Sequence, residues 1–305
     1  MTAKCVLVAG SANVDFVVRA AHIPAPGETV LGLGFKTFPG GKGANQAIAC
    51  AQAGGAPTRM LLALGDDAFA APLEASLRDA GVQTDIVRST TVATGAAFIC
   101  VADSAENAIT VAPGANATLR PQHLPPLTHV SHLLLQLETP LETVTAYAVA
   151  ARAADVKVVL NAAPAQALPL ALLAAVDMLI VNEGELAALA GPAADIKESV
   201  ARLDVPCVIV TLGARGCQVR TPKGWLTQAA YPVQALDTTA AGDTFCGTLV
   251  AALNQGQGLP AALTLASAAA AIACTRMGAQ ASIPTRAEVE LFVQTKATLQ
   301  AHAAP

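Results

Sequence analysis

Residues 237–245, Asp-Thr-Thr-Ala-Ala-Gly-Asp-Thr-Phe, place small residues and a glycine directly before an acidic residue. The pattern predicts a helix over about residues 241–253, whose first backbone N–H groups lack intrahelical partners and can hold a phosphate or an oxyanion. Gly242 would let a ligand approach that backbone, and Asp243 would project into the same space as a proton acceptor. This combination suits phosphoryl transfer from a nucleotide to an alcohol. The alternative is an aspartate-capped helix after a small-residue turn.

Outside that stretch, short apolar runs alternate with segments rich in alanine and leucine. The predicted strands are 5–9, 59–64, 132–137, 157–161, 178–181 and 207–211. The predicted helices are 44–53, 68–80, 141–154, 183–190, 195–203 and one that contains the alanine run 266–273. Strands that alternate with helices indicate an α/β fold with a mostly parallel sheet covered on both faces.

Two regions, residues 15–38 and 93–111, interrupt this alternation and resemble strands joined by turns at 24–27 and 103–107. Strands that project from a parallel core predict a small β-sheet lid. The second face of such a lid would be apolar enough to require a partner, so the sequence predicts a homodimer formed through lids.

The length of 305 residues predicts one domain over residues 1–305. A formal net charge of −4 with 13% charged residues argues against a nucleic-acid partner. The apolar run at residues 5–9 is too short for a signal peptide or a membrane span, so no membrane partner is expected. Seven scattered cysteines without a C-x-x-C pair indicate reduced thiols and a cytoplasmic protein, rather than a disulfide or zinc framework.

A second glycine-rich segment, Gly-Gly-Lys-Gly-Ala-Asn-Gln at residues 40–46, also precedes a predicted helix. It is not a Walker A loop, because Lys42 is followed by glycine and the leading glycine of that motif is missing. We interpret Lys42 and Asn45 as polar side chains that reach a ligand rich in hydroxyl groups. The alternative is a glycine-rich turn with a solvated lysine.

Polar residues also follow two of the predicted strands. Asn13 and Asp15 come after the first strand, and Glu138 comes after the strand at 132–137. The ligand crevice of an open α/β sheet lies at the carboxyl ends of its strands, so these side chains would meet there and could bind vicinal hydroxyls. An ordinary turn and a helix N-terminal region are the respective alternatives.

Seven segments fall in the order and approximate spacing of one known family: SANVD (11–15), GGKGANQ (40–46), QLETP (136–140), VNEGE (181–185), TLGARG (211–216), DTTAAGDTF (237–245) and TRMGAQASIP (275–284). Together they resemble the ribokinase branch of the PfkB carbohydrate kinases over nearly the whole chain. The resemblance implies a three-layer α/β/α body with a mostly parallel central sheet. It also implies a small β-sheet lid that closes over a sugar and often pairs with the lid of another subunit.

The resemblance further implies ATP-dependent phosphorylation of D-ribose at the 5-hydroxyl, giving D-ribose 5-phosphate and ADP. Asp243 would take the proton, and the backbone of Ala240, Ala241, Gly242 and Asp243 would form the anion hole. The implied sugar-binding residues are Asn13, Asp15, Gly41, Lys42, Gly43, Asn45, Glu138 and Asp243. The implied nucleotide-binding residues are Asn182, Thr211, Gly213, Ala214, Gly216 and Gly242, with Ser267 at the adenine edge, where ribokinases often carry a histidine.

Two ions are implied in the same way. Glu185, with Asn182, matches an N-x-x-E element linked to Mg²⁺ and phosphate placement. The implied K⁺ site consists of Asp237, Thr239, Ala273, Arg276, Gly278 and Ser282, several of them through backbone carbonyls. Glu185 as an ordinary exposed helix residue and Ser282 as a turn hydroxyl remain alternatives.

Two other functions stay open. A kinase of the same family could act on 2-deoxyribose, another sugar or a nucleoside, and the few phenylalanines of the predicted lid do not decide between them. A non-catalytic sugar-binding protein is the alternative from another class. Asp243, the GGKG loop and the N-x-x-E element argue against it, because sugar binding alone requires none of the phosphoryl-transfer groups.

Overall fold

The computed structural model describes residues 4–104 and 106–303, and its centre is a nine-stranded sheet. In spatial order the strands are β13 (Gly224–Gln228), β12 (Cys217–Thr221), β11 (Cys207–Thr211), β10 (Met178–Asn182), β9 (Lys157–Asn161), β8 (Val130–Leu135), β1 (Cys5–Ala9), β4 (Thr58–Gly65) and β5 (Gln83–Ser89). The seven strands from β11 to β5 are parallel, and β12 and β13 are antiparallel.

Helices cover both faces of this sheet, because its strands are apolar on both sides. One face carries α1 (Lys42–Gln52), α2 (Ala70–Asp79), α7 (Ala241–Asn254), α8 (Leu259–Cys274) and α9 (Arg286–Ala303). The other carries α3 (Leu141–Ala153), α4 (Leu170–Ala175), α5 (Glu183–Ala190) and α6 (Ile196–Ala201). In β1, Val6 and Val8 join the first core while Leu7 joins the second, as the two-residue repeat of a strand requires. The predicted three-layer α/β/α body is confirmed.

A separate four-stranded sheet stands at the carboxyl ends of the parallel strands, and we call it the lid. Its order is β3 (Gly34–Gly40), β2 (Asn13–Ala20), β6 (Gly95–Ala102) and β7 (Asn107–Ala112). The predicted limits, 15–38 and 93–111, are close to these strands. Asn13 begins β2 and is not part of a turn, because the chain passes from β1 into the lid within three residues. The predicted turn at 103–107 includes residue 105, which lies outside the described residues, as do both ends of the predicted 1–305 domain.

The strands predicted at 5–9, 157–161 and 207–211 have the observed limits, whereas β5, β12 and β13 were not predicted. β5 lies at an edge of the sheet and has only two apolar residues among its seven, so it lacks the continuous apolar run of a central parallel strand. All seven cysteines are free thiols. Within residues 4–104 and 106–303, no helix combines the length and the apolar character needed to cross a membrane.

Candidate active site

Helix α7 begins in a tight turn at Ala240, which adopts the left-handed conformation with φ 58°. The N–H of Ala241 donates to Thr238 O (3.2 Å), and the N–H of Thr244 donates to Ala240 O (2.8 Å). Among the described residues, none accepts a hydrogen bond from the N–H of Gly242 or Asp243. A methyl group added at Gly242 would meet no described atom within 4 Å. The first turn of α7 therefore offers unpaired donors and open space to an anion.

The carboxylate of Asp243 lies beside this turn and is only 7% exposed. Its Oδ2 accepts a hydrogen bond from Asn45 Nδ2 (3.0 Å), and its Oδ1 accepts one from Gln46 Nε2 (2.9 Å). Each oxygen thus has one fixed amide donor, and both donors come from the first turns of α1. The carboxylate is held in one orientation and retains lone pairs that can take a proton.

A cleft of about 220 Å³ connects these groups with the ends of three central strands. Its lining residues are Lys42, Asn161, Ala163, Ile180, Asn182, Glu185, Thr211, Thr238, Ala240, Gly242, Asp243 and Cys246. The pKa of the Lys42 ammonium is raised, chiefly by the charge of Asp243 and further by those of Glu138 and Glu185. The cleft therefore holds a positive charge and a carboxylate next to the helix start.

Glu138 holds the glycine-rich loop against the body. Its Oε2 accepts hydrogen bonds from Ser11 Oγ (2.5 Å) and from the N–H of Lys42 (3.1 Å). Gly43 N donates to Ser11 Oγ (3.3 Å), and Gly41 O accepts from Asn45 N (2.9 Å) at the start of α1. The predicted residues of this loop and Glu138 are thus joined directly, and the remaining oxygen of Glu138 can accept from a ligand.

Asn13 and Asp15 approach the same place from the lid. Asn13 Oδ1 accepts a hydrogen bond from Asn116 Nδ2 (2.7 Å), so Nδ2 of Asn13 is the end that can donate to a hydroxyl. Burial raises the pKa of the Asp15 carboxyl to about 7, and the nearby charges of Glu138 and Asp243 add to this effect. The structure therefore brings the predicted sugar-binding side chains together around one space.

Three of the predicted nucleotide residues line the cleft: Asn182, Thr211 and Gly242. Asn182 caps α5: its Oδ1 accepts from Glu185 N (2.8 Å), and Glu185 Oε2 accepts from Asn182 N (2.8 Å). The N-x-x-E spacing is thus a capping box, in which the second oxygen of Glu185 remains for other ligands. Burial raises the pKa of Glu185, which lines the cleft and is not the ordinary exposed residue of the alternative interpretation.

Thr211 ends β11 and lines the cleft, and Gly213, Ala214 and Gly216 belong to the short 3₁₀ turn and the bend that follow. Gly213 and Ala214 are exposed beside this opening. Ser267 lies within α8, is 8% exposed and does not line the cleft. Of the predicted nucleotide residues, Gly213, Ala214, Gly216 and Ser267 are not among the residues that line the cleft.

The predicted cation residues gather behind the anion-binding turn. Asp237 Oδ1 accepts from Thr239 N (2.9 Å) and Thr239 Oγ1 (2.6 Å), and its Oδ2 accepts from Gly278 N (2.8 Å). Leu236 N donates to Cys274 O (2.8 Å), which ties the segment to the end of α8, close to Ala273 and Arg276. Ser282 Oγ donates to Ala279 O (2.7 Å), so the turn-hydroxyl alternative describes its contact here.

Several backbone carbonyls at this place have oxygen atoms free of any described partner. The carbonyls of Thr239, Arg276 and Gly278 accept no hydrogen bond from any residue within 4–104 and 106–303. Unpaired carbonyl oxygens beside a carboxylate are oxygen ligands of the kind that hard cations take. In the same described part of the chain, no three His, Cys, Asp or Glu side chains are grouped so as to hold a metal ion by themselves.

Five polar residues at the site were not identified from the sequence. They are Ser11, Gln46, Asn116, Gln136 and Asn161, all less than 9% exposed. The first three bond to predicted residues, and Gln136 and Asn161 bond to Gln46. Gln136 and Asn161 are the polar ends of otherwise apolar strand sequences, which was the available signal. Buried amides require partners, so a polar residue at such a place indicates a network.

A larger groove, of about 680 Å³, lies outside α3 and α4 and is mainly apolar, without groups for phosphoryl transfer.

An anion-binding helix start beside a fixed carboxylate, at the carboxyl ends of a parallel sheet, defines a phosphotransferase of the α/β class that acts on an alcohol. Residues 3–286 match the family described as pfkB family carbohydrate kinase, and the chain belongs to that family.

Known proteins of this family match over almost their full length. The ribokinase of Haemophilus influenzae is 39% identical to this chain over 303 residues, covering 95% of this chain and 99% of that protein. The structure of Arabidopsis thaliana ribokinase complexed with ribose and ATP has a TM-score of 0.88 at 30% identity and covers 96% of this chain and 99% of that one. The deoxyribokinase of Salmonella typhi is 32% identical and covers 92% of this chain and 95% of that protein.

Proposed function

We propose that the protein is an ATP-dependent ribokinase, which converts D-ribose and ATP into D-ribose 5-phosphate and ADP. The observation that carries the proposal is the buried carboxylate of Asp243, held by two amides next to the unpaired backbone donors of Gly242 and Asp243. The similarity to proteins named ribokinase, one of them in complex with ribose and ATP, supports ribose as the acceptor.

In this proposal Asp243 accepts the proton of the sugar 5-hydroxyl as the oxygen attacks the terminal phosphorus of ATP. The bond from that phosphorus to the bridging oxygen breaks, and ADP leaves. The backbone of residues 240–243 receives the negative charge of the phosphoryl group, and Lys42 adds a positive charge from α1. Such a reaction depends on positioning and charge neutralisation more than on covalent chemistry.

The sugar would occupy the space between the lid and the body. Asn13 and Asp15 would contact it from the lid, and Gly41, Lys42, Gly43, Asn45 and Glu138 from the body. Asn45 supports this arrangement, because its Oδ1 is buried and has no partner among the described residues. An unpaired buried acceptor is costly, and a sugar hydroxyl would supply the missing hydrogen bond.

The nucleotide would lie across Asn182, Thr211 and the loop of Gly213, Ala214 and Gly216, with Gly242 beneath its terminal phosphate. We keep Ser267 as a proposed residue of the adenine edge, although its burial in α8 does not support this role. The free oxygen of Glu185 would help to hold Mg²⁺, which supplies charge neutralisation on the phosphates. K⁺ would bind to Asp237, Thr239, Ala273, Arg276, Gly278 and Ser282, and would order the turn that leads into α7.

We further propose that one catalytic unit spans the chain, that its lid closes over the sugar, and that two subunits pair through their lids. Exposed apolar side chains of the lid and of the loop between β2 and β3 support the pairing: Leu31 (88%), Leu33 (73%), Phe35 (63%) and Phe98 (53%). A patch of this kind on a small sheet commonly marks an interface. Seven free thiols support a reducing compartment, the cytoplasm.

The proposed base is tested by Asp243→Asn and Asp243→Ala. Removal of a general base should lower kcat by about 10²–10⁴-fold. In Asp243→Asn the new amide N–H₂ faces an amide donor, so Asp243→Ala is the second variant if the first loses stability. Steady-state ADP formation gives the rate, and thermal unfolding with calorimetric ribose binding confirms that each variant is folded. Turnover close to the parent rate in a folded variant contradicts the assignment.

A kinase for 2-deoxyribose is the second candidate, which the similarity to the Salmonella typhi deoxyribokinase favours. The two candidates differ in whether the site requires the 2-hydroxyl. Comparison of kcat/KM for ribose, 2-deoxyribose, fructose and adenosine distinguishes them. A higher kcat/KM for 2-deoxyribose than for ribose would replace the proposed substrate and leave the kinase assignment in place.

A further inference from the structure

Gln46 has a fully buried side chain in the second turn of α1 and uses both ends of its amide. Its Nε2 donates to Asp243 Oδ1 (2.9 Å) and to Asn161 Oδ1 (2.9 Å). Its Oε1 accepts from Gln136 Nε2 (2.7 Å). The four side chains form a buried network that reaches from β8 and β9 to the carboxylate in α7. We call it the amide network.

The network fixes which end of the Gln46 amide faces Asp243. Asn161 Nδ2 donates to the backbone carbonyl of Ile180 (3.2 Å), so Oδ1 of Asn161 must face Gln46 as an acceptor. Gln136 Nε2 donates to the other end, while Oε1 of Gln136 is buried and has no partner among the described residues, so Asn161 and Asp243 set the orientation. With two acceptors on one side and one donor on the other, a flipped Gln46 amide would place Oε1 against a carboxylate and lose all three hydrogen bonds.

Close backbone packing keeps the network in place. A methyl group at Gly247 of α7 would lie 2.3 Å from the carbonyl oxygen of Gln46, so α1 and α7 approach each other only because this residue is glycine. A methyl group at Gly10 would lie 2.0 Å from Oε1 of Gln136. The amides therefore have little room for another conformation, and the position of Gln46 relative to Asp243 is set by packed elements.

The two amide donors to Asp243 differ in whether a bound ligand can change their hydrogen bonds. Asn45 has a buried Oδ1 without a partner among the described residues, and its Nδ2 makes the bond to Oδ2 of Asp243. It can therefore rearrange when a sugar arrives. Gln46 has every bond inside the amide network, does not line the cleft and gains nothing by leaving Oδ1.

We infer that Gln46 is a positioning residue, oriented by Asn161 and supported by Gln136, that fixes Oδ1 of Asp243 and assigns proton transfer from the sugar hydroxyl to Oδ2. The inference rests on the proposed function, because it needs Asp243 as the base. It extends that proposal to the choice of oxygen and to two glutamines that do not touch the substrate. A fixed carboxylate keeps its accepting lone pair aligned with the hydroxyl, and small errors in such alignment lower kcat strongly.

The test uses Gln46→Met and Gln136→Met, which keep side-chain length and remove the hydrogen bonds, together with the double variant. Gln46→Met should lower kcat about 10- to 100-fold, the size expected for the loss of a hydrogen bond to a charged group, with KM for ribose within about threefold of the parent. Gln136→Met should lower kcat less, because it removes one hydrogen bond that holds Gln46 and leaves the donor to Asp243 in place. The double variant should match Gln46→Met, since Gln136 acts only through Gln46.

Asn254→Leu is the matched control. Asn254 ends α7, far along the helix from Asp243, and donates to Lys4 O (2.9 Å) and Ser131 Oγ (2.5 Å). Its replacement should lower the unfolding temperature and leave kcat unchanged. Gln46→Met would behave in the same way if the role of Gln46 were only structural. If Gln46→Met does not fold, Gln136→Met and its kcat decide the outcome.

A parent-like kcat in folded Gln46→Met overturns the inference, as does a loss confined to KM. Additive losses in the double variant overturn the inference that Gln136 acts through Gln46. The Asp243 variants distinguish a failure of this inference from a failure of the proposed function. If they lose turnover while Gln46→Met keeps it, the base assignment stands alone; if they keep turnover, the base assignment fails whatever Gln46 does.

Discussion

The carboxyl groups of the site differ in their surroundings, and these differences suit them to different tasks. Asp243 is held by two amide donors, Glu138 is bonded to Ser11 and the backbone of Lys42, and Asp15 lies half-buried in the lid between the charges of both. Burial and like charges favour the protonated form of Asp15, so its pKa rises to about 7. It is the carboxyl in this space whose ionisation near neutral pH should be visible in ligand binding.

Ribose affinity should therefore depend on pH through Asp15. Sugar hydroxyls donate to a carboxylate, so the ligand favours the ionised form and binding releases protons near pH 7. Affinity should fall by up to about tenfold per pH unit below pH 7 and level off above it. Calorimetry from pH 5.5 to 8.5, in buffers of different ionisation enthalpy, measures both effects. Asp15→Asn should bind more weakly and without this pH dependence; a pH-independent affinity in the parent protein rules out the role.

The same raised pKa has a consequence for stability. The folded ligand-free protein binds a proton at Asp15 between about pH 4 and 7, where the unfolded chain has released it. The contribution of this group to the free energy of unfolding is thus fully present below the unfolded pKa and is lost as pH rises through about 7. Unpaired charges near a binding site commonly lower stability in exchange for function.

At the scale of elements, helix α7 has two glycines with opposite requirements. Gly242 faces open space in the first turn, whereas Gly247 packs against the backbone of α1. The first glycine leaves room for a ligand, and the second leaves room for a neighbouring helix. Their positions in one helix allow the two roles to be compared under the same conditions.

Gly242→Ala should keep or raise the free energy of unfolding, by up to about 1 kcal/mol, because alanine favours a helix and meets no described atom. Its methyl group would occupy the proposed phosphate space, so kcat should fall at least about 10²-fold. Gly247→Ala should lower the free energy of unfolding by about 1–3 kcal/mol through overpacking. Denaturant unfolding and steady-state rates measure both. Full activity in Gly242→Ala would exclude an anion hole at this turn.

The proposed K⁺ site lies where the segment that leads into α7 is hydrogen-bonded to the end of α8. A cation there would neutralise Asp237 and order Thr239 next to the anion-binding turn, so activity should rise several-fold when K⁺ replaces Na⁺ or choline. Asp237→Ala should reduce the rate and remove the difference between the salts. Initial rates at constant ionic strength measure this. Equal rates of the parent protein in all three salts would remove the cation assignment without affecting the proposed base.

The sequence predicted the parts of the site that lie at chain reversals. Glycine-rich turns, charged residues after apolar strands and a small-residue helix start all have local signals, and these located Lys42, Glu138 and Asp243. The amide network has no such signal, because the partner of a buried amide depends on packing between distant segments. Gln46 and Gln136 are 90 positions apart, and they meet because α1 packs on β1 and Gln136 directly follows β8, the strand paired with β1.

At the scale of the whole molecule, the body was predictable and its edges were not. Continuous apolar strands such as β1 and β11 can only be central strands of a covered parallel sheet. The edge strands β5 and β13, and β12 next to β13, are partly polar, and short polar strands resemble loops in sequence. The lid was predicted because its alternation of apolar and polar residues differs from the continuous apolar runs of the body.

Pairing through lids should make the protein a dimer in solution. In the lid, Phe16 stacks on Phe98 and Phe35, with ring centroids 5.3 and 5.9 Å apart, and the two outer rings are more than half exposed. Phe98→Asp should convert the dimer to a monomer, because it would place a charge in a desolvated interface. Sedimentation velocity measures this. Leu170→Asp, at a side chain of α4 that is 83% exposed, is the control and should stay dimeric.

A dimeric Phe98→Asp protein would show that this face does not form the interface. A parent protein that is monomeric at micromolar concentration would contradict lid pairing altogether. Neither result would change the interpretation of the other side of the lid, which carries Asp15 and is proposed to bind the sugar.

Asp15 and Phe16 are neighbours in β2, and successive residues of a strand point to opposite faces of the sheet. One face of the same strand would thus touch the sugar and the other the second subunit. Sugar occupancy and self-association are then thermodynamically linked. The factor by which dimer formation tightens ribose binding must equal the factor by which ribose tightens the dimer, so enzyme concentration becomes a variable of substrate affinity.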